Sequence, residues 1–110
     1  MTKQDTIDSA ISAAQHEDHL RALTLFLDVY GTGDSPPIRG PKDAAGLSYF
    51  GLSLALVKRD YKMAIDLCKR ALDLEFYNGD HYANLARVYL AAGNRKKAVE
   101  TADAGLKLIP

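Results

Sequence analysis

Few residues in this sequence could do chemistry, and each has to be read against its helical neighbourhood. Cys68 is the only cysteine among 110 residues. A nucleophilic thiol needs an electropositive, accessible setting that favours the thiolate. Cys68 instead shares a helical face with Ala64, Ala71 and Leu72, where it reads as a small buried apolar side chain. His16-Glu17-Asp18-His19 brings two imidazoles and two carboxylates together, which raises a metal site. The zinc pattern on a helix places its imidazoles four apart, whereas these are three apart and straddle an expected interhelical turn. Polar turn residues account for the cluster equally well. His81, beside Asp80 at the start of a helix, is expected to be exposed. Glu75 and Asp80 flank Phe76-Tyr77-Asn78-Gly79, but paired acid/base carboxylates need a shaped pocket and a raised pKa, and the sequence supplies neither. Arg95-Lys96-Lys97 lacks aromatic interleaving and reads as a solvated face rather than a nucleic-acid site. No glycine-rich phosphate loop follows a strand. The inventory predicts no catalytic residue, no metal site and no cofactor, hence a protein that is not an enzyme.

Composition narrows the class further. Apolar residues form 47% of the chain and charged ones 25%, as in ordinary soluble domains, so one core is expected. Fourteen basic and fourteen acidic residues cancel, so no overall field favours nucleic acid or a membrane surface. The charge is nonetheless uneven, with five acidic against two basic residues in 1–30 and the opposite bias, three against five, in 78–110. With a single cysteine no internal disulfide forms, and a reducing compartment follows. The start, Met-Thr-Lys-Gln-Asp, has no apolar signal-peptide run, and no stretch approaches the ~18 apolar residues of a membrane span. A cytoplasmic protein is the expectation.

The elements that carry these residues repeat. Asp60-Tyr61-Lys62-Met63-Ala64-Ile65 parallels Asn94-Arg95-Lys96-Lys97-Ala98-Val99, an offset of 34 residues (98 − 64). The same offset takes Ala71 to Gly105, Leu72 to Leu106, Leu74 to Leu108 and Phe76 to Pro110. A weaker copy upstream, His19-Leu20-Arg21-Ala22-Leu23 with Phe26, lies 42 before the second (64 − 22). The excess sits in 31–41, where three prolines and three glycines cannot continue a helix. Tyr82, Leu85, Ala86, Tyr89 and Leu90 follow the spacing of a core-facing helix, and Gly93 can take the left-handed conformation that ends it. Asp60 is placed to cap the helix carrying Ala64, Ile65, Leu67, Cys68, Ala71 and Leu72. Helices are predicted near 4–16, 18–30, 43–58, 60–74, 79–92 and 95–108. Small residues at Ala64/Ala98 and Ala71/Gly105 mark where paired helices come closest.

With these residues in view, the chain resembles the tetratricopeptide repeat family, whose unit is a 34-residue helix-turn-helix. The third unit supplies Tyr82, Leu85, Ala86, Tyr89, Gly93, Ala98, Ala102, Gly105 and Pro110. The second supplies Gly51, Tyr61, Ala64, Ala71 and Leu74, with one extra residue between Gly51 and Ala64 and Phe76 where Pro is usual. The first keeps only Ala10, Ala22 and Phe26. The resemblance implies an all-α, right-handed superhelical array of three helix-turn-helix units in one domain, about 4–30, 45–77 and 79–110, with a loop insertion at 31–43. It also implies a scaffold or adaptor that binds a peptide or helix of another protein in its concave groove.

Carried over from the family's register, the groove positions are Asp80, Ala83, Asn84, Arg87 and Leu90 in the third unit, and Tyr49, Ser53 and Leu56 in the second. Ile7 and Ile11 are their counterparts in the first. Tyr49 and Leu56 serve equally as core residues. Asn84 and Arg87 suit a peptide amide and a carboxylate, or plain solvent exposure. A family variant grips a C-terminal carboxylate with Lys and Asn from its first unit; Ile7 and Ile11 stand there, so that clamp is incomplete. Val99, Leu106 and Ile109 would leave apolar surface without a neighbour. Either a longer protein or self-association through the final helix would cover it. The insertion reads as tolerated length or as a mobile lid beside the groove.

Overall fold

The computed structural model describes residues 2–31 and 43–108. The predicted insertion at 31–43 and Ile109 therefore lie mostly or wholly outside the described residues. Six α-helices follow in order: α1 (Lys3–Gln15), α2 (His19–Tyr30), α3 (Ala44–Ser53), α4 (Tyr61–Leu74), α5 (Gly79–Ala91) and α6 (Arg95–Leu106). A π-helical turn, Leu54–Lys58, extends α3. The helices pair consecutively, α1 with α2, α3 with α4 and α5 with α6, as the sequence period requires.

Every α-helix starts on a side-chain cap that accepts one of the amide protons no helical carbonyl can reach. Asp18, Asp60 and Asn94 cap the second helix of each pair through the amides of Arg21, Met63 and Lys97. Thr2, Asp43 and Asn78 cap the first helices, and Thr2 forms a reciprocal capping box with Asp5. Each such cap contributes about 1 kcal/mol.

The turn inside each pair repeats as well. Just before each second-helix cap, Glu17, Arg59 and Gly93 all adopt positive φ, at 63°, 56° and 82°. In the outer two pairs the cap amide then reaches back five residues, Asp18 to Ala13 and Asn94 to Tyr89. In the middle pair Asp60 reaches back six, to Leu54. That additional step is the extra residue seen in the sequence, absorbed by the wider π-helical ring.

The core is built where side chains are small. Gly51 on α3 faces α4 so closely that a Cβ there would lie 2.9 Å from the Ala64 carbonyl oxygen and 3.0 Å from Cys68 Sγ. At Gly105 a Cβ would fall 2.7 Å from Tyr82 Cβ, which sets α6 against α5. Phe26, Tyr30 and Phe50 stack together, with Phe26 and Phe50 centroids 5.5 Å apart, and join the first pair to the second. The Tyr30 hydroxyl occupies the space that a Cβ at Gly46 of α3 would need, so this ring also reaches the start of the second pair. Burial, assisted by the Asp43 charge, pushes the Tyr30 phenol above its ordinary range.

The pairs also curve. Among the described residues α1 touches α3 and α3 touches α5, whereas no contact joins α2 to α4 or α4 to α6. Rods that meet along one layer and spread in the other form an arc, with α1, α3 and α5 on its inner side.

An alanine at position 51 gains about 1 kcal/mol in helix propensity but must displace backbone. Gly51→Ala is expected to lower unfolding free energy by roughly 1–2 kcal/mol in urea titration. Gly79→Ala, where nothing lies within 4 Å, is the control and should be neutral or stabilising.

Candidate functional site

The residues expected in the groove differ in exposure. Asp80, Arg87 and Leu90 remain accessible on α5, with Leu90 at 55% exposure. Tyr49 and Leu56 are half-buried and pack against the core. Ile7 is buried and Ile11 half-buried.

Ser53 and Asn84 are turned inward instead. The Ser53 hydroxyl is fully buried and donates to the Tyr49 carbonyl at 2.9 Å. The cause is the π-helical turn: with one extra residue after it, Ser53 occupies the level of buried Val88 (88 − 53 = 35) rather than that of Arg87. Asn84 is buried and donates from Nδ2 to Ser48 Oγ at 2.8 Å. Ser48 in turn accepts the Cys68 thiol on its carbonyl at 3.6 Å. A small polar knot thus ties α3, α4 and α5. Burial raises the Cys68 thiol to about 12, leaving it protonated and unreactive near neutrality, as its apolar face implied.

His81 corrects an expectation. It is not exposed but fully buried, because Nε2 donates to Glu75 Oε1 at 2.8 Å from the preceding turn. The bonds from His81 and Asn78 hold the Glu75 carboxyl below its usual range. Its pairing is therefore with an imidazole, not with Asp80. His81 Nδ1 has no hydrogen-bond partner among the described residues.

The His16–His19 cluster is also resolved into separate contacts. His16 Nδ1 lies 2.7 Å from the Ser12 carbonyl, while His19 Nε2 lies 2.7 Å from Glu17 Oε2. Among the described residues no group of three or more His, Cys, Asp or Glu converges as a metal ion would require. None of their helices is long and apolar enough to cross a membrane.

The contact that reasoning from sequence missed is between Glu17 and Arg87. Arg87 Nη1 and Nη2 donate to Glu17 Oε1 and Oε2 at 3.1 and 2.8 Å, a two-pronged pair across 70 residues. It links the α1–α2 turn to α5, although those two first helices do not themselves touch. The Arg87 and His19 bonds hold the Glu17 carboxyl down at about 2, from its ordinary 4.5. Motif spacing offered no signal for this pair. The opposite charge bias of the two chain ends was its only trace.

Two outcomes follow. Asn84→Ala should cost about 1–3 kcal/mol of stability, read by chemical unfolding, because it strands the buried Ser48 hydroxyl. A depressed carboxylate stabilises the fold fully above its unfolded pKa and loses that contribution as pH falls through the folded one. The stability gap between wild type and Arg87→Gln should therefore be constant above pH 4.5 and close as pH falls toward 2. A gap unchanged across that window would show that the pair is not formed.

The sequence profile described as tetratricopeptide repeat matches residues 55–110, just over half of the chain. No curated protein sequence matches it. With six helices paired in order, capped alike and matched from within the π-helical turn through α4, α5 and α6, the chain belongs to the tetratricopeptide repeat family, whose modules generally serve protein–protein interaction.

Proposed function

We propose that this protein is a scaffold or adaptor, not an enzyme, and that it binds a peptide segment or helix of a partner protein along its concave side. The three helix pairs, about 4–30, 45–77 and 79–110, act as one domain in this reading. The observation that supports it is the inner layer of first helices, in which α1 meets α3 and α3 meets α5 while, among the described residues, the second helices do not meet one another. Arg87 offers a planar fork suited to carboxylate, and exposed Leu90 with half-buried Leu56 and Tyr49 are the apolar residues assigned to that surface in this reading. Asp80 supplies an acceptor at the other end of α5. Asn84 contributes by tying α5 to α3, and buried Ser53 bonds within its own helix, rather than either touching the partner.

A second reading, self-association through the last helix, has its own support. Val99 and Leu106 on α6 are exposed, and Leu106 and Leu108 border a cavity of about 560 Å³ with Tyr77 and Tyr82. A stable monomer in sedimentation at high concentration would end that reading.

The groove proposal is tested by capture with the native chain. A photo-crosslinking side chain at Leu90 should label a co-purifying protein, and the same group at exposed Lys69 on α4 should not. Arg87→Ala should cut recovery of that protein several-fold. Labelling from Lys69 alone, or undiminished recovery with Arg87→Ala, would overturn the assignment.

A further inference from the structure

The Arg87 fork already holds a carboxylate. Glu17 meets it with both oxygens, and His19 supports the nearer one at 2.7 Å. Glu17 itself stands in the left-handed region at φ 63°, where the third pair places Gly93. A side chain there is strained relative to glycine, so the first pair carries strain that the third pair avoids. What that strained position achieves is visible: it projects a carboxylate from the α1–α2 turn onto α5, past the first helix of the middle pair. Arg87 remains 40% exposed and Glu17 62%, so the contact is solvated and can open.

We propose that Glu17 is an internal occupant of the Arg87 fork, a latch that the carboxylate of an incoming acidic segment must displace. This rests on the reading of the concave wall as the binding surface. The competition is intramolecular, so the latch lowers apparent affinity by the fraction of time it is closed. For a solvated ion pair that factor is about two- to fivefold. A partner without an acidic group in that position would gain nothing from opening it, so the latch also discriminates among ligands.

The test uses the full chain with hexaglutamate as probe, followed by NMR at the Arg87 Nε–Hε group. Three proteins are compared: wild type, E17G and D8N. Glycine suits the left-handed position, so E17G is expected to fold. D8N removes one negative charge from exposed α1 without touching Arg87. Hexaglutamate is expected to shift the Arg87 signal in all three, with an apparent Kd about two- to fivefold lower in E17G than in the other two. Equal affinity for wild type and E17G would overturn the latch while leaving Arg87 as a carboxylate receptor. An equal gain in D8N would overturn it too, by assigning the effect to bulk charge. No Arg87 shift in any protein would remove the receptor role itself, and the latch with it.

Discussion

Two helices can approach backbone to backbone only where a side chain is missing, and the middle of this protein is organised around such a place. Gly51 lets α3 settle against Ala64, Leu67 and Cys68 of α4. Once that distance is set, Ser48 comes within reach of both Cys68 and Asn84. The latter bond positions α5, and Gly105 then brings α6 down on Tyr82. The order of contacts runs outward from one absent Cβ, and the inner wall of first helices follows from it. Bulk at position 51 would move not one pair but the spacing of all that stand beside it.

Much of this was legible in the chain because the same local solutions recur. Asp60 and Gly93 announced a cap and a left-handed turn, and both are present. The 34-residue offset between Ala64 and Ala98 located two helix pairs, and Cys68 was readable as interior from its helical neighbours. Proline and glycine also marked where the first pair separates from the second. Such features are encoded by residues within a turn or two of one another.

What escaped depends on contacts between distant residues or on helical phase. Ser53 lies inside because a wider turn shifts the helix by one residue, and spacing alone does not reveal which residue is the surplus one. His81 is interior because Glu75, from the preceding turn, satisfies one of its ring nitrogens. Glu17, in the α1–α2 turn, and Arg87, on α5, stand 70 residues apart in the chain and meet only through the packing of the array. Polar residues are the hard cases, since a charged or amide side chain is buried or exposed according to the partner that the fold brings to it.

The π-helical turn at Leu54–Lys58 has a consequence for how this chain tolerates change in length. An inserted residue in a rigid helix normally rotates everything beyond it by about 100° and exposes the wrong face. Here the surplus is confined to a single widened ring at the end of the helix, directly before the left-handed Arg59 that closes it. The middle helix thus holds a spare link. Deleting one residue there would tighten the ring to ordinary pitch, so the array can be edited at its centre without being reframed.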